Sequence, residues 1–269
     1  MTMSDATYAE LTAVVYKLTG VTVDESKRSM LTSRVRRRLR ALDLEGVDEY
    51  VKMLKQLDPD SDEITEFVDV VTTHKTSFFR TPSVWDFLEN EFRDERYNGR
   101  SITAWSCASS TGEEPYSLAM LLRSVRGDYA KAGKWRIDAS DVSELTVKKA
   151  QAGEYPAEVV TAIQAARPSV QASSEFEIHG DQVRICPALS EGVHFGVHNL
   201  LSARTGSFDV AFLRNVIIYF RKEDSLQVVN NVVNVIKPGG LLVIGEAESL
   251  LARGSDLSFE APCIYRKSE

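Results

Sequence analysis

The chain has only three cysteines (Cys107, Cys186 and Cys263), widely spaced and odd in number. They form no CxxC pair and no disulfide framework, so a reducing, cytoplasmic location is the expectation. Four histidines are present, and none sits at a convincing metal-ligand spacing near a cysteine. His194 and His198 are four apart, but the intervening Phe-Gly-Val reads as strand, where that spacing makes no metal face; no metal is expected. No apolar run approaches the roughly 20 residues needed to span a bilayer. The N-terminus lacks a basic segment followed by an apolar core, so it does not read as a signal peptide. Basic excess is also missing. A formal net charge of −7 argues against a general nucleic-acid binder. No internal repeat or low-complexity tract is present.

What the chain does have is a soluble protein's balance of 43% hydrophobic and 26% charged residues, over 269 positions. One local reversal of charge stands out. Lys27, Arg28, Arg34, Arg36, Arg37, Arg38 and Arg40 fall in one stretch with no acidic residue among them.

Residues 6 to about 73 read as successive helices. Leu11, Val14, Val15 and Leu18 keep helical spacing, and Gly20 can stop that helix in a left-handed cap. Asp24 is placed to cap the next helix, in which Leu31, Val35, Leu39 and Leu42 form one apolar stripe with arginines on the other faces. Tyr50, Met53 and Leu54 mark a third helix, and Ile64, Phe67 and Val71 a fourth. From about residue 100 the texture changes. Strand-like runs at 102–106, 135–140, 193–197, 208–214 and 240–246 alternate with helical patterns at 113–126, 143–152 and 222–236. Such alternation predicts a doubly wound, mostly parallel α/β sheet with helices on both faces. The C-terminal FEAPCIYRK supplies final antiparallel strands. Residues 174–187 carry a hairpin signal around His179-Gly180-Asp181, a small β excursion on the rim of the sheet.

Ligands of such sheets sit beyond the carboxyl ends of the strands, where the strand order reverses. After the first strand comes the small-residue loop from Cys107 to Gly112, then Glu113 and Glu114 at a helix start. It is neither GxGxxG nor a P-loop, since it lacks the lysine, and two glutamates there would repel a pyrophosphate. Asp141 follows the second strand, where this fold places an acceptor for ribose hydroxyls. His198, Asn199 and Leu200 follow the next, placed to meet an adenine. Arg214 and Asn215 follow the fourth, leading to Tyr219. A phosphate-free adenosine bearing a positive centre satisfies all of these together, and S-adenosylmethionine is that ligand. Each residue alone has a duller reading: Asp141 as a helix cap, Glu113 and Glu114 as solvated first-turn acids, Asn199 as a turn residue, Arg214 as half of a surface ion pair. Their joint placement after four strands carries the reading.

With those residues in place, the chain resembles the chemotaxis receptor protein-glutamate O-methyltransferases (CheR) over nearly its whole length. The matching segments are THKTSFFR at 73–80, STGEEPYS at 110–117, SD at 140–141, NLL at 199–201 and RNVIIYF at 214–220, in the family's order, with KPGG at 237–240 in agreement. The resemblance implies an S-adenosylmethionine-dependent methyltransferase fold with a small all-helical N-terminal domain and a small antiparallel β subdomain. Residues 1–80 would be the helical docking domain and linker. Residues 81–269 would be the methyltransferase domain, with the β excursion at about 156–192. It implies cofactor contacts from Thr76, Arg80, Glu114, Asp141, Asn199, Leu200, Arg214 and Asn215. His74 stands where the family pattern has Asn and keeps a donor for the cofactor; Thr81 stands where Glu is common.

The implied reaction is methyl esterification of glutamates on the cytoplasmic helical region of transmembrane chemoreceptors, leaving S-adenosylhomocysteine. A carboxylate is already ionised at pH 7, so no general base is needed, and Arg80 and Tyr219 are expected to position it rather than to exchange protons. The basic helix then offers Arg34, Arg37, Arg38 and Arg40 as a docking face for an acidic or mixed receptor helix; a merely solvated charged face is the duller alternative. In some relatives the β excursion grips a peptide at the receptor's C-terminus, and the counterpart here is shorter. The expected setting is cytoplasmic, recruited to membrane-bound receptor arrays, and nothing demands more than a monomer. Two rivals stand beside this reading: a methyltransferase of a small carboxylic acid, and a non-catalytic S-adenosylmethionine-binding regulatory module.

Overall fold

The structure is a computed structural model that describes residues 3–127, 134–248 and 256–269. Four helices come first. Helix α1 (Asp5–Thr19) is capped by the Ser4 hydroxyl, which accepts from Thr7 N at 3.1 Å, and is stopped by Gly20 at φ 76°. That left-handed angle is why glycine stands there. Helices α2 (Arg28–Ala41), α3 (Val47–Gln56) and α4 (Asp62–Val71) turn Leu31, Val35, Leu39, Tyr50, Leu54, Ile64 and Phe67 into a shared core with Leu11 and Val15 of α1. The stripes read from the sequence are the faces that meet. Asp24 differs from expectation: it precedes a 3-10 turn, Glu25–Lys27, with no side-chain cap, because its carboxylate bonds the Ser26 hydroxyl instead.

Helix α5 (Pro82–Arg93) then leads into β1 (Ile102–Ser106), α6 (Glu113–Arg126), β2 (Trp135–Asp141) and α7 (Glu144–Ala152). The short β3 (Glu154–Pro156) and α8 (Glu158–Ala166) precede the hairpin β4 (Phe176–His179) and β5 (Gln182–Ile185). After a single helical turn, α9 (Pro187–Ser190), come β6 (Val193–Val197), β7 (Phe208–Leu213), α10 (Lys222–Asn234), β8 (Ile236–Ile244), β9 (Leu257–Ala261) and β10 (Ile264–Lys267).

Seven strands form one sheet in the order β6-β2-β1-β7-β8-β10-β9. The first five are parallel, and β10 pairs antiparallel with both β8 and β9. Strand β7 is buried along its whole length, as a strand covered on both faces must be. The chain runs outward through β1, β2 and β6, then returns to β7 on the other side of β1, so the strand order reverses between β1 and β7. The β excursion is a three-stranded sheet, β3-β5-β4, and the sequence reading missed β3, which is only three residues long. The KPGG segment also differs from a plain turn. It lies inside β8 as an irregularity in the pairing with β7, with Gly239 at φ 72°.

Candidate functional site

At the switch between β1 and β7 the strand ends open into a cleft of about 1130 Å³, part of it open to solvent. The helical unit closes its other side. Thr19, Val21, Thr22, Lys27 and Met30, with residues 71–77, face Cys107, Asp141, Leu200 and Asn215 across it.

The floor is a buried ion pair. Glu114, in the first turn of α6, accepts from the Ser106 hydroxyl at 2.7 Å and from Arg214 at 3.2 Å. Burial pushes the Glu114 carboxyl above the ordinary carboxylate range, against the pull of Arg214. Arg214 also donates to the Arg80 carbonyl (2.9 Å) and the Thr81 hydroxyl (2.8 Å), while its Nε is buried without a partner among the described residues.

Asp141 ends β2 and is buried. Its Oδ2 accepts from Ser110 N and its Oδ1 from Ser143 N, both at 3.0 Å. Burial raises its carboxyl as well, opposed by those backbone donors and by His74. Asn215 takes φ 57°, and Glu248 holds its loop by accepting from Asn215 N (2.9 Å), Ile217 N (2.7 Å) and Gly245 N (2.7 Å). Of the six described non-glycine residues at positive φ, Phe79, Thr81, Ser110 and Asn215 line or buttress the cleft. Such angles cost on the order of 1–3 kcal/mol each and concentrate where geometry serves a ligand.

Most residues picked from the sequence converge here: His74, Thr76, Arg80, Glu114, Asp141, Leu200, Arg214, Asn215 and Tyr219 all line the cleft. Arg80 lines it, and among the described residues its guanidinium makes one hydrogen bond, to the Lys75 carbonyl at 3.3 Å. Tyr219 is fastened by its carbonyl, which accepts from Thr22 N (2.8 Å) and Thr22 Oγ1 (2.9 Å), with Lys27 Nζ 5.6 Å from its ring centre.

Asn199 does not line the cleft. Its side chain folds back to accept from Leu201 N at 3.0 Å and donates to the Leu18 carbonyl at 3.4 Å, so it shapes the turn that presents Leu200. The docking face also changes. Arg38 is spent on Glu63 and Glu66, and Arg34 on the carbonyls of Val71 and Thr72, both at 2.9 Å. The two lie one turn apart on the flank of the apolar stripe facing α4, whereas Arg37 and Arg40 are exposed. A periodic pattern marks the stripe but not which neighbour covers its edge.

The sequence reading missed Glu248, Thr22, Ser110 and Ser143. Glu248 had a signal, because it follows β8, the one parallel strand whose exit was not read; the serines act through their backbone N–H, which sequence does not display.

The region from 74 to 261 matches the family described as CheR methyltransferase, SAM binding domain, and residues 6–72 match CheR methyltransferase, all-alpha domain. The chain belongs to the CheR methyltransferase family. It is 34% identical to the chemotaxis protein methyltransferase of Klebsiella aerogenes, over 98% of this chain and 90% of the relative. It is 32% identical to that of Salmonella typhimurium, over 100% of this chain and 92% of the relative, and 33% identical to that of Escherichia coli, over 100% and 93%.

This CheR-family chain is therefore an S-adenosylmethionine-dependent methyltransferase, and its cleft fits the cofactor on its own chemistry. Glu113 and Glu114 occupy the helix start that a pyrophosphate would need. Asp141 is a buried acceptor fixed by two backbone N–H groups, chemistry that suits a sugar hydroxyl, and Arg214 Nε is a buried donor with no partner among the described residues.

Proposed function

We propose that this protein methylates glutamate side chains on the cytoplasmic helical region of transmembrane chemoreceptors, as part of chemotaxis-type adaptation. One observation carries the reading: the cleft opens beneath a helical unit that lines it with Lys27, the linker after α4 adds Lys75 and Arg80, and α2 leaves Arg37 and Arg40 exposed. A metabolite needs no such roof, whereas a carboxylate on a protein helix does. The relatives' name, chemotaxis protein methyltransferase, supports the reading.

When bound, S-adenosylmethionine supplies a methyl group on a sulfonium, already a good leaving group. Asp141 accepts from the ribose hydroxyls, and Leu200 offers an apolar face to the adenine. Arg214 Nε and Asn215 hold the polar end of the amino acid portion. Thr76 and His74 close the cleft from the linker. The receptor carboxylate arrives ionised, so no residue takes a proton. Arg80 and Tyr219 hold it in line with the methyl carbon. Arg80 has little other engagement, and Tyr219 is anchored through its backbone, which leaves both side chains for this task. Val21, Met30, Val71 and Phe220 line the approach with apolar surface that excludes water.

The protein works as a monomer recruited to receptor arrays in the cytoplasm; no helix among the described residues is long and apolar enough to cross a membrane. A receptor tail peptide at the small sheet is a finer reading, favoured by the exposed Ile178 on its edge strand β4, and a pull-down with tail peptides tests it.

The deciding experiment incubates the protein with methyl-labelled cofactor and receptor-bearing membranes, then adds mild base. Base-labile label in a receptor-sized band is the expected result. Label in small molecules only would make the protein a metabolite methyltransferase. Cofactor binding with no transfer would make it a regulatory module.

A further inference from the structure

The two backbone donors that hold Asp141 share a feature. Each belongs to a serine whose side chain is tied to the helical unit or to the linker leaving it. Ser143 gives its N–H to Asp141 Oδ1 and its hydroxyl to Asp69 Oδ1 of α4 at 2.8 Å. Ser110 gives its N–H to Asp141 Oδ2 and its hydroxyl to the His74 carbonyl at 2.9 Å. Asp69 Oδ1 also accepts from the Thr146 hydroxyl at 2.9 Å, and the His74 ring packs beside both, with Nδ1 3.2 Å from Thr146 Oγ1 and Nε2 3.4 Å from Asp69. Ser143 is fully buried and caps α7, accepting from Thr146 N at 3.2 Å.

These bonds form one chain of constraint. By accepting from both hydroxyls, Asp69 fixes the rotamer in which Ser143 caps α7. That cap sets the backbone angles (φ −88°, ψ 113°) that aim Ser143 N–H at Asp141. Groups that orient a binding residue from one step behind are commonly worth as much as a direct contact. We propose that Asp69 is a positioning residue for Asp141, acting through Ser143, so that the helical unit forms part of the cofactor site as well as a substrate platform. The inference rests on Asp141 accepting from the ribose hydroxyls.

The test is calorimetric binding of S-adenosylhomocysteine, and of its analogue lacking the 2′ and 3′ hydroxyls, to Asp69→Ala, Asp69→Asn, Ser143→Ala and Asp141→Asn, with melting temperatures as a folding control. Asp69→Ala should weaken S-adenosylhomocysteine by about tenfold, the equivalent of one hydrogen bond to a charged group. Asp69→Asn should recover most of that loss, because its amide oxygen still accepts from both hydroxyls. The loss should vanish for the analogue, which gives Asp141 nothing to hold. Equal losses for both ligands would reduce Asp69 to a general support and overturn the proposal. So would wild-type affinity in Asp69→Ala beside weakened binding in Asp141→Asn. Wild-type affinity in Asp141→Asn would instead overturn the underlying reading of the ribose site. If Asp69→Ala does not fold, Asp69→Asn and Ser143→Ala carry the comparison: Ser143→Ala must lose affinity for S-adenosylhomocysteine and not for the analogue.

Discussion

The Arg214 guanidinium lies 3.2 Å from the Glu114 carboxylate although the two residues are 100 positions apart in the chain. Their side chains are 3% and 13% exposed, so neither charge has water to fall back on. Removing one partner of such a pair leaves the other buried and uncompensated. Arg214→Met is expected to cost about 3 kcal/mol in urea unfolding. Glu114→Gln keeps an acceptor for Ser106 and should cost less. Equal stability of Arg214→Met and wild type would show that the pair holds nothing together.

Glu114 and Asp69 should leave opposite signatures in the pH dependence of stability. Burial raises Glu114 above its ordinary value of 4.5. Its contribution is then fully present below 4.5 and is lost as the pH rises through the raised value. Burial pushes Asp69 up too, but the hydroxyls of Ser143 and Thr146, with His74 and Lys149, outweigh it and leave the carboxyl below its ordinary 3.8. Its contribution is present above 3.8 and is lost as the pH falls through the lowered value. Unfolding curves over a pH series therefore should show the advantage of wild type over Glu114→Gln shrinking as pH rises from 4.5. The advantage over Asp69→Asn should grow as pH rises towards 3.8. Flat differences would contradict both assignments.

Glu248 accepts from two backbone N–H groups of the loop that carries Asn215 and from Gly245 N at the exit of β8. Glu248→Ala removes the acceptor of all three donors and should cost about 2–4 kcal/mol, since part of the loss is recovered by water. Because Asn215 then loses the clamp on its left-handed backbone, affinity for S-adenosylhomocysteine should fall in the same variant. Calorimetry and chemical unfolding on one preparation check both effects.

Gly20 is the point where α1 stops against the methyltransferase loops. A Cβ there would stand 2.6 Å from Leu201 Cδ1 and 3.0 Å from Phe220 Cε1, on a backbone at φ 76°. Gly20→Ala should destabilise by about 1–2 kcal/mol through the left-handed angle alone. It should also lower methyl transfer, because the helical unit must shift off Leu201. A thermal melt with a transfer assay checks this, and unaltered values in both would mean that the contact gives way freely.

For docking, Arg37→Glu with Arg40→Glu should raise the apparent KM for receptor about fivefold at low salt, and less at high salt, with cofactor affinity unchanged. Arg38→Glu is the wrong probe, since it would set a third acid against Glu63 and Glu66 and unfold the bundle first. Unchanged kinetics in the Arg37/Arg40 variant at low salt would remove this face from the substrate path.

Much of the molecule was legible in the chain itself. The stripe Leu31, Val35, Leu39 and the alternation of strands with helices are periodic, and periodicity is set by backbone geometry alone. Asp141, Arg214 and Leu200 were legible as a site because a parallel sheet always brings the ends of its strands together. Tertiary structure decided what depends on which surfaces meet. Whether Arg38 faces solvent or Glu63, whether Asn199 reaches the cleft or closes its own turn, and that Ser143 and Ser110 tie Asp141 to the helical unit all follow from contacts between segments far apart in sequence. A residue's type fixes what it can bond; only the packed fold fixes what stands within 3 Å of it.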